Sequence, residues 1–410
     1  MPSLPHEIID SVLSHFSPSR QSQCNVPEIE TLTSCALASR AFHDSALPHI
    51  FKRVEFVLRG NPQTFVKRCV GFKPLIEANK AIGNSVKILI IEGCEKSLLL
   101  LSEVLSLLPN VSHFELGSVV KTMCWVDFDE QTTAAVSSFW KSNPLTHIQL
   151  QQVEALPAFE IASCRYLQSL QLHHADLLPC SNSTKLLSLT LAPISKFDCA
   201  YSPQALESLA EMPGLFLELE ELAFTIGGID TVYALNRLLE NAPNVRILSL
   251  RHSYGGLYHT DGQNTPDLTP AYLRILSIHY TLPDNLAFPP SILQLLKPRT
   301  NAASPIEELT VEMIFEDITP EEFILRFDPQ IGWAKLDDLL SDGHYCNLSK
   351  VQISVALGLT ERAISNSELY AEAHSNFDVL LPQVRKNVEV IEFDFRPYCI
   401  SEPSLLFQDF

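Results

Sequence analysis

The chain has 410 residues, 46% of them apolar and only 19% charged, with a formal net charge of −19. So much apolar material excludes general disorder and suffices for one large solenoid or two to three compact domains. The negative charge repels phosphate backbones, which argues against a nucleic-acid partner.

The ten cysteines are scattered singly, with no CxxC and no His/Cys spacing suited to zinc. They read as buried apolar thiols in a reducing compartment, and neither metal nor cofactor is expected. Glu7 and Asp10 interrupt the first apolar stretch and no basic segment precedes it, unlike a signal peptide. The longest apolar run, Leu98–Leu108, is broken by Ser102, Glu103 and Ser106 and reaches about half the length of a membrane span. A soluble, intracellular protein is expected, in cytoplasm or nucleus, with no membrane partner.

Residues 1–56 predict three short helices. Pro5 suits a first helical turn, and Ile8, Ile9, Val12, Leu13 and Phe16 then form a single apolar stripe that ends at Ser17-Pro18-Ser19. A polar loop runs to about Pro27. The second helix carries Ile29, Leu32, Cys35 and Ala36 on one face; the third carries Phe42, Ala46 and Leu47, and Pro48 restarts it with Ile50 and Phe51 on the last turn. Three such helices cannot close a full core, so one apolar face is left for something else to cover.

From about residue 57 to 398 the chain repeats itself. The pattern L-x-x-L-x-L, with any apolar residue at the L positions, occurs from Val86-Leu89-Ile91 through Leu145-Ile148-Leu150, Leu186-Leu189-Leu191 and Ile306-Leu309-Val311 to Val388-Ile391-Phe393. The last part of each match alternates like a strand buried on one face. Helical stretches such as Thr132–Ser142 lie between several of them, closed by Pro109-Asn110, Asn143-Pro144 or Pro243-Asn244. Strand, helix and parallel strand in succession predict a one-dimensional stack whose repeats bury their apolar faces against each other.

Leu4-Pro5-His6-Glu7-Ile8-Ile9, Leu32 to Phe42 (LTSCALASRAF) and Leu47 to Val54 (LPHIFKRV) resemble the F-box. With the repeats, the chain is similar to the F-box proteins with degenerate leucine-rich repeats that abound in mushroom-forming fungi. Phe42 stands where that family usually has Trp, and Ala38 where it has Val. The Asn/Cys position that follows each triplet is met by Cys94 and otherwise filled by residues such as Val119, Val153 or Ala175, so no asparagine ladder is expected.

The resemblance implies an α/β protein: a three-helix F-box (1–56), an irregular leucine-rich-repeat-like solenoid with a parallel sheet on its concave face (57–398), and a cap or tail (399–410). It implies a substrate-receptor subunit of a Skp-cullin-F-box type ubiquitin ligase. The F-box would bind a Skp-family adaptor, and through it a cullin-RING ligase, and the repeats would bind a target protein. The alternative is a non-catalytic repeat scaffold with no ligase role. An enzyme is not expected, because GxSxG, P-loop, HExxH and GxGxxG motifs are all lacking.

Candidate adaptor contacts are Leu4, Pro5, Ile8, Ile9 and Leu13, with Cys35, Leu37, Arg40, Phe42, Leu47 and Phe51 behind them. Candidate target contacts are the strand residues that point away from the core, among them Ile90, Glu115, Gln149 and Gln171. His113 and His147 should be lateral neighbours, with His173 on the next strand; the adjacent His173-His174 point to opposite faces and cannot chelate one ion together. Glu308, Glu312, Glu392 and Asp394, opposed only by Lys350, form a strip suited to a basic segment of the target.

Overall fold

A computed structural model describes residues 6–16, 26–58, 62–93, 95–118, 121–179, 193–212, 214–252, 266, 268, 272–282, 288–298, 303–315, 332–359 and 381–399. The chain divides into two compact units, Met1–Ile194 with Gln204–Leu215, and Ser195–Pro203 with Phe216–Phe410.

The first unit opens with α1 (His6–Ser14), α2 (Val26–Ala38) and α3 (Arg40–Ile50). Ser39 caps α3 by accepting a hydrogen bond from the Phe42 N–H, 3.3 Å away, which satisfies one orphan donor of the first turn. The helix runs through Pro48 and closes when the Phe51 N–H donates to the Leu47 carbonyl. Ile9, Leu13, Leu32 and Ala46 form its buried centre, with Phe16, Cys35 and Phe42 packed around them. Each fully buried aliphatic side chain is worth roughly 1.5–3 kcal/mol, so this is a small core.

The unit continues as β1 (Arg53–Val57), α4 (Pro62–Ala78), α5 (Lys80–Ser85), β2 (Ile88–Gly93), α6 (Glu95–Leu105) and β3 (His113–Ser118). Then follow β4 (Met123–Cys124), α7 (Glu130–Ser142), β5 (His147–Gln151), β6 (Val153–Glu154), β7 (Leu156–Pro157), α8 (Ala158–Ala162), β8 (Ser169–His173) and β9 (Leu177–Leu178). Strands β1, β2, β3, β5 and β8 pair in that order, all parallel. β4 pairs with β6 and β7 with β9, two separate two-stranded ladders. The chain leaves β5 and β8 through Gln152 and His174, each directly after its strand and each at positive φ.

The second unit holds β10 (Lys196–Ala200), β11 (Glu221–Ile226), β12 (Ile247–His252), β13 (Ile275–Leu282), β14 (Glu308–Phe315), β15 (Lys350–Leu359) and β16 (Val390–Cys399), again parallel and in chain order. Its helices include Ile229–Asn241, Pro290–Leu296 and Trp333–Ser341. The buried carboxylate of Asp337 accepts from the N–H groups of Gln383 and Val384, 3.0 and 2.9 Å away, tying the helix Trp333–Ser341 to the start of Val384–Asn387. No described helix is long and apolar enough to cross a membrane.

The register explains the repeats. Val54, Leu89, Phe114, Ile148 and Leu170 are direct partners across the first unit, and Phe56, Ile91, Leu116, Leu150 and Leu172 form the next row. In the second unit Phe197, Leu222, Leu248, Leu276, Leu309, Val351 and Ile391 stand in one row. Because side chains alternate with period two, one slipped residue would turn a whole strand's apolar set outward, so the pattern holds each strand in place. At the entry to successive strands one carbonyl accepts from two consecutive N–H groups of the next strand. The Lys87 carbonyl takes Ser112 and His113, and the Arg246 carbonyl takes Arg274 and Ile275.

Four expectations change. The match Leu186-Leu189-Leu191 lies outside the described residues; the described strand of that stretch is β10, whose Ile194-Phe197-Cys199 fits the same spacing with cysteine as the third apolar residue. Phe51-Val54-Phe56 also fits, and β1 is the first strand of the ladder; Phe51 is the C-cap of α3 and not part of its last turn. Asparagines do bind neighbouring repeats, but from the position just before three of the triplets. Asn110 donates to the Asn84 carbonyl (3.0 Å), Asn244 to Leu217 (2.6 Å) and Asn347 to Ser304 (2.8 Å). Finally, Ile90 is buried at 3% exposure although it lies on the side of β2 opposite Leu89 and Ile91.

Candidate functional site

Two surfaces carry the residues singled out above. On the three helices, Leu4 and Pro5 lie outside the described residues. Ile9 and Leu13 point inward and are buried, which takes them out of reach of a partner. Phe42, Cys35, Leu47 and Phe51 are half-buried, and Arg40 is exposed. Ile8, with Val12 beside it, is about half exposed on α1, and Leu37 is 83% exposed on α2. Ile8 and Val12 lie one turn apart on α1, and Leu37 stands separately on α2. A shallow groove along α2 is lined by Pro27, Glu30, Thr31, Ser34, Cys35 and Ala38. His49 on α3 reaches Asp10 on α1, 3.3 Å apart.

The second surface is the side of the strands that carries the residues between the apolar rows. In the first unit His113 and His147 are direct partners in register, with ring centroids 5.6 Å apart. His113 Nε2 lies 2.6 Å from Glu115 Oε1, and His147 Nδ1 lies 2.7 Å from Thr146 Oγ1. Ser169, not His173, occupies the next place in that row; His173 partners Gln151 at the far end of the strands. His174 sits in left-handed backbone, and burial, with His173 beside it, lowers its pKa. Among the described residues no group of three His, Cys, Asp or Glu side chains is placed to hold a metal ion.

In the second unit the acidic strip is less free than the sequence suggests. Glu312 is buried and bound to His279 Nδ1 at 2.7 Å, and Glu392 is paired with Lys350 at 3.2 Å. Glu308 and Asp394 keep no ion pair among the described residues. The reading that only Lys350 opposes the strip is corrected by His279, whose strand register puts it directly beside Glu312. The same side holds a buried ion pair that the sequence did not reveal: Arg251 on β12 binds Asp198 on β10, reaching past β11, and both side chains are about 90% buried.

His252 is a further residue that sequence reasoning missed. It stands two places beyond the third apolar position of its repeat, in a row otherwise filled by Ile226, Tyr280, Met313 and Val355. Both ring nitrogens are buried without a hydrogen-bond partner, and the ring lies 5.1 Å from that of Tyr280. Burial, helped by the charge of His279, pushes its pKa from 6.5 down to about 4. The unfolded chain takes up this proton near 6.5 while the folded chain refuses it until about 4, so stability is full above 6.5 and drains as pH falls through that window. The loss should reach about 3 kcal/mol. Urea unfolding at about pH 7 and pH 5 should show about 2 kcal/mol of it, and a His252→Phe variant should lose most of the difference. An unchanged difference in that variant would place the acid sensitivity elsewhere.

Parallel strands in register within each unit, joined largely by helices and preceded by a helical module, define a mixed α/β protein built from tandem repeats. No family model matches the chain, and no curated protein matches it. Among solved structures it is similar to a chain from the crystal structure of the Rad7 and Elc1 complex in yeast, with 14% identity over 88% of this chain and 91% of that one, at a TM-score of 0.34.

Proposed function

We propose that the chain is a substrate-receptor subunit of a Skp-cullin-F-box type ubiquitin ligase, acting inside the cell as a binding protein without chemistry of its own. The observation that carries the reading is the division of the N-terminal helices into two faces. Ile9, Leu13, Leu32 and Ala46 satisfy the module's own core, while Ile8, Val12 and Leu37 remain exposed on α1 and α2. That is the arrangement a helical adaptor would complete, and it falls on the residues that resemble the F-box. A target protein would then be held on the strand surfaces, with the His113–His147 pair and the carboxylates of Glu308 and Asp394 as polar contacts. Nothing in this role calls for a cofactor.

Ile8→Asp combined with Leu37→Asp is the appropriate test, because both side chains are exposed and their loss leaves the core untouched. The full-length protein and the variant are co-expressed with a Skp-family adaptor and purified. The variant should lose capture by roughly thirtyfold or more, the effect of one hot-spot contact of about 2 kcal/mol, with an unchanged circular dichroism spectrum. Failure of the unmodified protein to capture the adaptor would leave a repeat scaffold with no ligase role.

A further inference from the structure

Strand β16 ends the ladder of the second unit: it pairs in parallel register with β15 and with no other described strand. Its apolar-row residues Ile391 and Phe393 are only half-buried, although Val351 and Ile353, their partners on β15, are 0% and 1% exposed. Arg385 lies over the Phe393 ring, 5.4 Å from its centroid. On the other face Val390, Glu392 and Asp394 are exposed. The backbone is open as well. The Val390 N–H donates to the Ser349 carbonyl, 3.1 Å away. Alternate residues of a parallel strand turn both backbone groups to the same neighbour. Glu392, Asp394 and Arg396 therefore bond β15, while Ile391, Phe393 and Phe395 present N–H and C=O outward. Pro397 falls in the outward set, where its missing N–H removes no bond to β15.

A bare edge of this kind is a template for a further strand. A second copy of the chain can supply it: two β16 strands related by a twofold axis perpendicular to the sheet run antiparallel, each on the open edge of the other. Charge decides the register. With the axis on Phe395, Asp394 stands opposite Arg396 of the second copy, twice over by symmetry, and Glu392 stands opposite Tyr398. In the apolar row Phe393 meets Pro397 and Ile391 meets Cys399. Each Pro397 withholds one of the two bonds of its pair; the pairs at Phe395 and at Ile391 with Cys399 are complete. Moving the axis to Asp394 brings the two Asp394 residues together, and moving it to Phe393 sets Glu392 against Asp394. Like charges directly opposite one another are destabilising. Glu392 is already paired with Lys350 at 3.2 Å, whereas Asp394 forms no ion pair among the described residues, so the favoured register uses the carboxylate that is available.

We propose that the outer edge of β16 docks a second copy of this chain, antiparallel about a twofold axis at Phe395, with the reciprocal Asp394–Arg396 contacts setting the register. Main-chain hydrogen bonds hold the two strands, and the half-buried Ile391 and Phe393 are covered by the apolar row of the other copy. The contact is the same patch on both copies, so it closes at two. In the paired state Asp394 is not available to a target. The inference goes beyond the ligase reading and does not depend on it.

The test is sedimentation equilibrium of the full-length chain from about 1 to about 100 μM, the range suited to an interface of small area. Salt is held at about 0.15 M, where the repulsion between two chains of −19 is screened within about 8 Å. A monomer–dimer equilibrium is expected. Asp394→Arg and Arg396→Asp should each weaken it about tenfold or more, because each sets two like-charged pairs where two attractive ones stood. Combining Asp394→Arg with Arg396→Asp restores opposite charges at both places and should return the affinity to within about threefold of the unmodified protein. That recovery separates docking from any loss of folding in the single variants. The proposal is overturned by a chain that stays monomeric throughout, by single reversals that dimerise like the unmodified protein, by a double variant that stays weak, or by growth beyond the dimer.

Discussion

Replacing Phe114 by alanine is expected to cost the first unit about 3–5 kcal/mol. Phe114 is the middle apolar residue of β3 and has no exposed surface. Its ring lies 5.4 Å from that of Phe139 and 5.9 Å from that of Trp140, both on α7, and Trp140 stacks in turn on Trp125 at 6.1 Å. The substitution removes the transfer energy of the ring and leaves a void that neighbours held by their own strand register cannot fill. It also takes away two aromatic contacts, each worth roughly 0.5–1.5 kcal/mol beyond burial. Phe114→Leu keeps most of the volume and should cost much less. Urea unfolding followed by tryptophan fluorescence reports on this region directly, because Trp125 and Trp140 are both in the cluster. A midpoint for Phe114→Ala within error of the unmodified protein would show that the cluster relaxes, and that β3 is not the packing centre inferred here.

The second large effect concerns the pair of Asp198 and Arg251. Asp198→Ala should destabilise the second unit by about 3–5 kcal/mol, because it strands a buried guanidinium. Arg251 Nε already lacks a hydrogen-bond partner, so little remains near it to absorb the lost carboxylate. The double change Asp198→Leu with Arg251→Met should recover most of the loss, since two apolar residues of similar size avoid the desolvation penalty of both charges. The loss should also hardly change with salt, in contrast to the exposed pairs Lys196–Glu221 and Arg274–Glu307. A double variant as unstable as the single one would mean that the pair sets the register of β10 and β12, not merely their energy.

Most strands of the main sheet, their parallel repetition and the three short helices at the start were legible in the sequence. These are properties of local spacing. An apolar triplet at L-x-x-L-x-L specifies which side chains face the helices whatever the neighbours are, and Leu222, Leu248 and Leu276 take their places in register accordingly. The spacing was also there at Phe51-Val54-Phe56 and Ile194-Phe197-Cys199, where a neighbouring helix assignment and a terminal cysteine obscured it. The asparagines before the triplets were visible as helix stops, but their partners lie 26, 27 and 43 residues upstream.

Which side chains remain available for binding depends on packing between elements. Ile8 and Ile9 are adjacent on one helix; the packing of Leu32 and Ala46 beside Ile9 buries one of them and leaves the other to a partner. Glu312 looks like a surface carboxylate until the register brings His279 beside it, and Asp198 and Arg251 meet across an intervening strand. Availability depends on what lies across the ladder, and that neighbour is set by the stacking and register of nearby repeats, which spacing within one repeat does not encode.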